Sequence, residues 1–348
     1  MAGKNKSRFW IKLTQWEYWP IWLAYIPIVF CWLGYAIRTR RLFFFSAVNP
    51  AIPTGGVFGE EKMDILDRIP RNAIPITVFV PKNQPFSDTV EAIQDSQLRF
   101  PLIAKPNVGE RGLLVKRVAS VEELQAHIGA SAIDWIIQEL IDYPLEASVL
   151  YYRYPERDEG YISSVCIKEF LSVTGDGQST IEELMAENDR AFLQLPRFRD
   201  EQPERLQEIP EAGASIVLEK IGNHSRGTKF VDGSELITPA MVEAFHQVGR
   251  QMDGIHYGRF DLRCTSKQDL QRGFNFKILE FNGVAGEPAH IYDPKIPFLE
   301  KYRIYFRHWR VIYEIYLEQR KRQVPTMTIS ELRTINRSYQ AHMRKIQS

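Results

Sequence analysis

Two stretches concentrate the side chains able to do chemistry: YGRFDLR at residues 257–263 and KILEFNGVAG at 277–286. In extended chain, residues two apart share a face, so Arg259 lies with Asp261 and Glu280 with Asn282. Two carboxylates and an amide oxygen converging on one spot make an all-oxygen site. A hard divalent cation prefers that set when nucleotide phosphates complete its shell. Arg259 adds a charge for a phosphate or a developing oxyanion. Such carboxylates are often no more than a solvated outer face. Here Phe260, Leu262, Leu279 and Phe281 supply an apolar opposite face, which predicts strands buried on one side and acidic on the other.

A second concentration is FPLIAKPNVGERGLLV at 100–115, where an apolar strand ends in Lys105 and a loop with Gly109 and Gly112 returns to a second strand. Glycines let backbone N–H groups approach a phosphate, and a lysine supplies a point charge for it. Hairpins with glycine in the turn are common, so this motif alone is only suggestive. Of the histidines, His246 and His256 read as surface or satisfied core residues, and His224 has no Cys or Glu at metal spacing. His290, in AGEPAHIYDP, is the one placed to approach a substrate.

The elements that must carry these residues alternate. Strands are predicted at 74–80, 101–105, 113–118, 135–139, 146–153, 161–170, 215–219, 257–264 and 275–281. Helices are predicted at 63–69, from Ser87 as cap to 98, at 121–128 capped by Ser120, and at 179–188, 239–252, 298–322 and 330–346. A polar, proline-broken stretch fills 196–213 and a Gly/Pro loop 49–62. Mixed α and β with antiparallel neighbours is the implied class, without internal repeats. The 298–322 helix has one aromatic face and one cationic face, which suits core packing or an interfacial position.

The bulk composition is that of a globular protein, with 44% hydrophobic and 25% charged residues. Lys plus Arg number 44 against 43 Asp plus Glu, which gives no reason to expect a nucleic acid as partner. Cys31, Cys166 and Cys264 are too scattered for a disulfide framework or a zinc site and read as buried thiols in a reducing compartment. One stretch departs from this average: residues 18–37 carry no charge and would make about 30 Å of helix. Trp and Tyr crowd both ends, and Arg38, Arg40 and Arg41 follow. Pro20 and Pro27 oppose a straight span, leaving a span, a re-entrant hairpin, an interfacial helix, or a strip buried on the protein's own body.

Taken in order, these motifs resemble the ATP-grasp superfamily, within it the branch of D-alanine:D-alanine ligase, cyanophycin synthetase and glutathione ligase, over about residues 100–294. The resemblance implies an α+β, ATP-grasp fold in which two lobes grip ATP. The chain would divide into a membrane-associated segment at 1–45, a connecting region at 46–99, lobes at 100–142 and 143–297, and C-terminal amphipathic helices at 298–348. By that likeness Lys105 and Lys168 contact ATP phosphates, and the loop from Asn107 through Gly109 to Gly112 folds over them. Glu139 accepts from the adenine amino group, the backbone at Leu140 and Ile141 reads the ring edge, and Glu146 binds ribose. Asn223 and Arg226, in GNHSRG, approach the phosphates, while VTGDGQSTIEEL at 173–184 is similar to a segment of cyanophycin synthetase. Asp261, Glu280 and Asn282 would hold two Mg²⁺ ions, for which Mn²⁺ is a substitute, with Arg259 and the Gly286 backbone donor catalytic.

The implied reaction joins a carboxylate to an amine through an acyl phosphate. Its substrates are small-molecule or lipid-linked, used by a protein that can form a homodimer at the cytoplasmic face of a bacterial inner membrane. A regulatory nucleotide-binding protein or a phosphotransferase on the same core are the alternatives. The α/β substrate domain that such ligases carry ahead of the grasp core has no counterpart here, so D-alanine specificity is not implied.

Overall fold

The computed structural model describes residues 7–347 except 110, 111, 130, 131, 220, 221 and 223–225, with only the backbone considered at 21 and 347. At the amino end, α1 (Arg8–Thr14) leads through a 3-10 turn at Trp16–Tyr18 into α2 (Ile21–Ala24) and α3 (Ile26–Thr39). The charge-free stretch is thus broken at Pro20 and at Tyr25, just before Pro27, where a proline cannot donate to the preceding turn. Among the described residues no helix is long and apolar enough to cross a membrane. After the 49–62 loop comes α4 (Lys62–Leu66), shorter than the 63–69 expected.

The first lobe is a four-stranded antiparallel sheet built from β1 (Thr77–Val80), β2 (Leu102–Pro106), β3 (Lys116–Val118) and β4 (Trp135–Glu139), in the order β1-β4-β2-β3. Between them lie α5 (Phe86–Asp95) and α6 (Val121–Ile128). Ser120 caps α6 by accepting from the Glu123 N–H, as its sequence predicts. Ser87 does not cap α5, which starts at Phe86 behind Pro85. Val78, Val80, Ile93, Leu102, Leu124 and Ile137 bury one face of this lobe. The stretch 46–99, read as a connector, therefore supplies a strand and a helix to it.

The second lobe starts with β5 (Leu145–Arg153), β6 (Gly160–Glu169) and β7 (Ser172–Thr174), followed by α7 (Ile181–Glu187) and α8 (Asp189–Glu201). Then come β8 (Ser215–Val217), β9 (Lys229–Asp232), α9 (Pro239–Gln251), β10 (Tyr257–Cys264), α10 (Lys267–Arg272) and β11 (Phe276–Asn282). Five of these strands form an antiparallel sheet, β11-β10-β5-β6-β9, and β7 pairs with β8 apart from it. Helix α8 was not expected, because Pro196 lies inside it. Asn188 caps its start, and Ala191, Leu195 and Phe198 bury one face, which outweighs the roughly 3 kcal/mol an internal proline costs.

Phe260 and Leu262 of β10 are fully buried while Arg259 and Asp261 stay accessible, the alternation the sequence predicts. Strand β11 departs from it. Asp261 pairs with Glu280 but Leu262 pairs with Ile278, so Leu279 is the extra residue of a β-bulge. Ile278 fills the buried position assigned to Leu279, and Leu279 is only half-buried.

Two helices close the chain, α11 (Phe298–Lys321) and α12 (Ile329–Gln347). The N-terminal segment lies along α11. Trp16, Ala24 and Ile28 pack with Ile291, Ile304 and Tyr305, Ala36 joins Phe44, Val311 and Ile315, and Tyr35 stacks on Tyr313 at 4.6 Å. Its opposite face is open: Trp22, Phe30 and Ile37 are 70%, 70% and 77% exposed.

Candidate functional site

Pairing of β10 with β11 sets Asp261 directly across from Glu280 and Arg259 across from Asn282. Asp261 is held from several sides. Arg259 donates from Nε to Oδ1 at 3.0 Å and from Nη2 to Oδ2 at 3.1 Å. Ser148 Oγ, from β5, donates at 2.6 Å, and Asn282 Nδ2 lies 3.3 Å from Oδ2. Lys168, from β6, approaches Asp261 at 3.9 Å and pairs with Glu146 at 3.1 Å. Burial opposes the Asp261 charge, but Arg259 and Lys168 outweigh it and hold the carboxyl at about 2. Burial likewise opposes the charge on Lys168, and Asp261 and Glu146 reverse it, so that its pKa is raised.

The donor set suits a hard cation that brings other ligands with it. Among the described residues no three His, Cys, Asp or Glu side chains converge as a metal cage. Two carboxylates and an amide oxygen leave at least half of an octahedral shell to oxygens from elsewhere, as Mg²⁺ held with phosphates requires. Glu280, with a side chain 39% exposed, stays open on the accessible face.

Lys105 leaves β2 and reaches across to the acid strand, donating to Gln138 Oε1 and to the Leu279 carbonyl, each at 3.0 Å. The bulge matters here, since it sets aside a residue whose carbonyl Lys105 can meet. Burial pushes Lys105 down to about 8, against the pull of Glu280 and with help from Lys62. Between pH 8 and the ordinary lysine range the unfolded chain binds a proton that the folded chain does not, so this group makes stability rise with pH in that window. A bound phosphate would restore the charge. Nucleotide binding is therefore expected to take up a proton above pH 8 and to weaken as pH rises further. Calorimetric titration in two buffers of different ionisation enthalpy measures that proton, and equal heats in both would refute the Lys105 contact.

The sequence reading passed over Lys62. It donates to the Gly109 carbonyl and lies 3.9 Å from Glu280, joining the glycine loop to the acid pair. Asn107 is fully buried, with its amide engaged by the Met63 N–H at 2.9 Å and by Glu61 at 3.0 Å. It thus fixes the Glu61–Lys62–Met63 backbone under the loop rather than pointing a free amide at a ligand. Gly112 has φ +73, a conformation that favours glycine.

Toward the lobe junction, Glu139 accepts from the Ile76 N–H at 3.1 Å, which extends the β1–β4 edge. Leu140 follows it, half-buried, and Ile141 is buried. Arg263, another residue not singled out from the sequence, donates to the carbonyls of Ile141 (3.3 Å) and Tyr143 (3.4 Å) and to Glu146 at 3.2 Å. A Cβ at Gly222 would meet Glu146 Oε1 at 2.0 Å, so only glycine fits against the Glu146–Lys168 pair at this position. Asn223 and His224 lie outside the described residues. Arg226 pairs with Glu219 at 3.2 Å, away from the acid pair's own contacts.

Two expectations after β11 change. The Gly286 N–H, read as an oxyanion donor, instead donates to the Gly283 carbonyl at 2.8 Å and closes a turn. That turn is pinned from outside by Val284 N–H to Gly55 O and Ala285 N–H to Gly56 O. His290 is buried with Nδ1 2.5 Å from Ser164 Oγ, and burial lowers its pKa, so it is a satisfied core histidine rather than a substrate contact. Asn49 is a further hub missed in the sequence. Fully buried, it bonds the backbone of Gly55, His256 and Tyr257 and ties the Gly-Gly loop to β10.

No family model matches this chain. It is 26% identical over 241 residues to the glutathione biosynthesis bifunctional protein GshAB of Enterococcus faecalis, a match covering 61% of this chain and 31% of that one. The chain thus spans about a third of the length of the curated relative it matches. Among solved structures it is similar to a bifunctional glutathione synthetase from Pasteurella multocida (TM-score 0.41, 15% identity, 72% of this chain and 36% of the other). It is also similar to a D-alanine–D-alanine ligase from Bacillus anthracis complexed with ATP (TM-score 0.40, 16% identity, 76% and 68%). The resemblance to ATP-grasp ligases drawn from the motifs agrees with the sequence match.

Proposed function

We propose that this chain is an ATP-dependent carboxylate–amine ligase of the ATP-grasp type, forming an amide through an acyl phosphate. The observation that carries this reading is the Asp261–Glu280 pair, set face to face with Lys62, Lys105, Lys168 and Arg259 around it. Such an arrangement of one acid pair and four cations suits a polyphosphate bound with a divalent ion. Asp261, Glu280 and Asn282 would hold Mg²⁺, which neutralises phosphate charge when bound. Lys105 and Lys62 reach the same phosphates from the glycine-loop side, and Lys168 and Arg259 from the sheet. A substrate carboxylate oxygen attacks the γ-phosphorus as the bond to ADP breaks. An amine then attacks the acyl carbon as phosphate leaves. Chemistry of this kind asks for positioning and charge neutralisation more than for a strong base.

Adenine would lie against the backbone of Leu140 and Ile141, ribose at Glu146, and Arg226 would approach the phosphates. Full-length protein with Mg-ATP and pools of amino acids, peptides and amine-bearing lipids should yield a product whose mass is acid plus amine minus water, together with ADP and phosphate. Phosphate transferred to a substrate with no amide formed would instead make the protein a phosphotransferase.

The open face of α2 and α3 supports a lipid surface as the place of work, at the cytoplasmic face of a bacterial inner membrane. Trp22, Phe30 and Ile37 protrude there, and Arg38, Arg40 and Arg41, all exposed, follow at one end with Arg8 and Lys12 exposed near the other. An apolar face rimmed by cations fits the headgroup region of an anionic bilayer. The chain is expected to float with phosphatidylglycerol vesicles and to lose that ability in a Trp22→Ser, Phe30→Ser double variant. Wild-type protein left at the bottom of the gradient would end the idea.

A further inference from the structure

Glu287 stands just beyond the acid pair and plays no part in holding it. Its backbone is tied to the centre, because Arg259, whose Nε donates to Asp261 Oδ1 at 3.0 Å, also donates from Nη1 to the Glu287 carbonyl at 3.3 Å. Its carboxylate accepts from two phenols, Tyr292 at 2.6 Å on Oε2 and Tyr305 at 2.8 Å on Oε1. Among the described residues no Lys, Arg or His nitrogen lies within 4.0 Å of it, unlike Asp261, Glu146 and Glu280. The residue as a whole is half-buried. Burial raises its pKa against the two phenol bonds.

Two hydrogen bonds could satisfy a purely structural carboxylate, and that is the plain alternative. Against it stand the lone pairs still open on each oxygen and the walls around them. Trp16 lies 5.3 Å from the Tyr292 ring, Phe230 6.1 Å from it on another side, and Tyr25 6.0 Å from Tyr305. Trp16 Nε1 is buried with no acceptor among the described residues. An acid without a paired cation, set among aromatic faces, is the chemistry that recognises an ammonium group. The segment forming one of those walls is the N-terminal strip, anchored to the second lobe by the Glu17–Arg190 pair at 2.6 Å.

We propose that Glu287 is the binding residue for the amine substrate, which enters as a primary ammonium ion and docks on this carboxylate beside the Tyr292 and Tyr305 rings. This rests on the ligase reading. Glu287 takes one proton from the ammonium, freeing the nitrogen lone pair. That lone pair forms the C–N bond as the acyl carbon–oxygen bond to phosphate breaks, and the departing phosphate carries away the second proton.

The test uses the full chain saturated with Mg-ADP, titrated with butylammonium chloride or with uncharged butan-1-ol and read by tryptophan fluorescence. A fluorescent ATP analogue reports nucleotide affinity separately. Butylammonium should give a saturable change that butan-1-ol does not, and Glu287→Gln should weaken it about tenfold or more, as expected for loss of a charge-assisted bond, with nucleotide affinity unchanged. Equal responses to the two probes in wild type, which need no variant to fold, would overturn the site, as would undiminished butylammonium binding by Glu287→Gln. Nucleotide bound without ammonium preference removes the amine site alone, whereas failure to bind nucleotide removes the ligase reading with it.

Discussion

Glu280→Gln is expected to abolish ATP turnover, by a factor of at least about 10² to 10³, while the protein stays folded. The exchange keeps shape and removes one negative charge from the point where Asp261, Asn282, Lys62 and Lys105 meet. Glu280 has a side chain 39% exposed and one ion pair, to Lys62 at 3.9 Å, so folding depends little on it; surface changes of that kind fall within about 0.5 kcal/mol. Turnover depends on it twice. Without its charge the all-oxygen set loses one of two anions, and Lys105, whose pKa Glu280 raises, becomes harder to protonate and weaker toward phosphate. Both ATP affinity and rate should fall. Steady-state ATP hydrolysis with a thermal melt on the same sample decides the matter, and full turnover in a normally folded variant would remove Glu280 from the metal site.

The acid pair was legible because its determinants are local. Period-two alternation in 257–264 places Phe260 and Leu262 inside and Arg259 and Asp261 outside, and nothing distant is needed to see it. Long-range partners were not legible. Lys62 sits in a Gly/Pro stretch with no periodicity, and it reaches Glu280 where Asn107 holds the Glu61 carboxylate on one side of it and the Met63 N–H on the other. Asn49 and Gly55–Gly56 likewise act across more than two hundred residues, where Gly56 approaches Gly283 so closely that a Cβ would lie 2.6 Å from its Cα. A Gly-Gly pair is a detectable signal of close approach, although it does not say what is approached. The bulge at Leu279 is silent in sequence, since Ile278 and Leu279 are both apolar and either could fill the buried position.

That ambiguity can be resolved by packing energies. Phe260→Ala is expected to cost about 3–5 kcal/mol, a large part of the stability of an ordinary domain. The ring is fully buried and lies 4.8 Å from Phe281, 5.6 Å from Phe245 and 6.2 Å from Tyr151. These neighbours come from β11, α9 and β5, so no single element can move in to fill the space. Ile278→Ala should cost about 2–5 kcal/mol, the range for a buried aliphatic side chain, and Leu279→Ala distinctly less because that side chain is half-buried. Urea unfolding of the three variants reads these differences through the midpoint at constant slope. If Leu279→Ala proved the costlier of the two β11 changes, the strand would run without the bulge. Glu280 would then still face Asp261, but the Leu279 carbonyl would rejoin the ladder and Lys105 would lose the partner that ties the glycine-loop lobe to the acid strand. The energetics of an apolar pair on the buried face thus report on the geometry of the charges on the other.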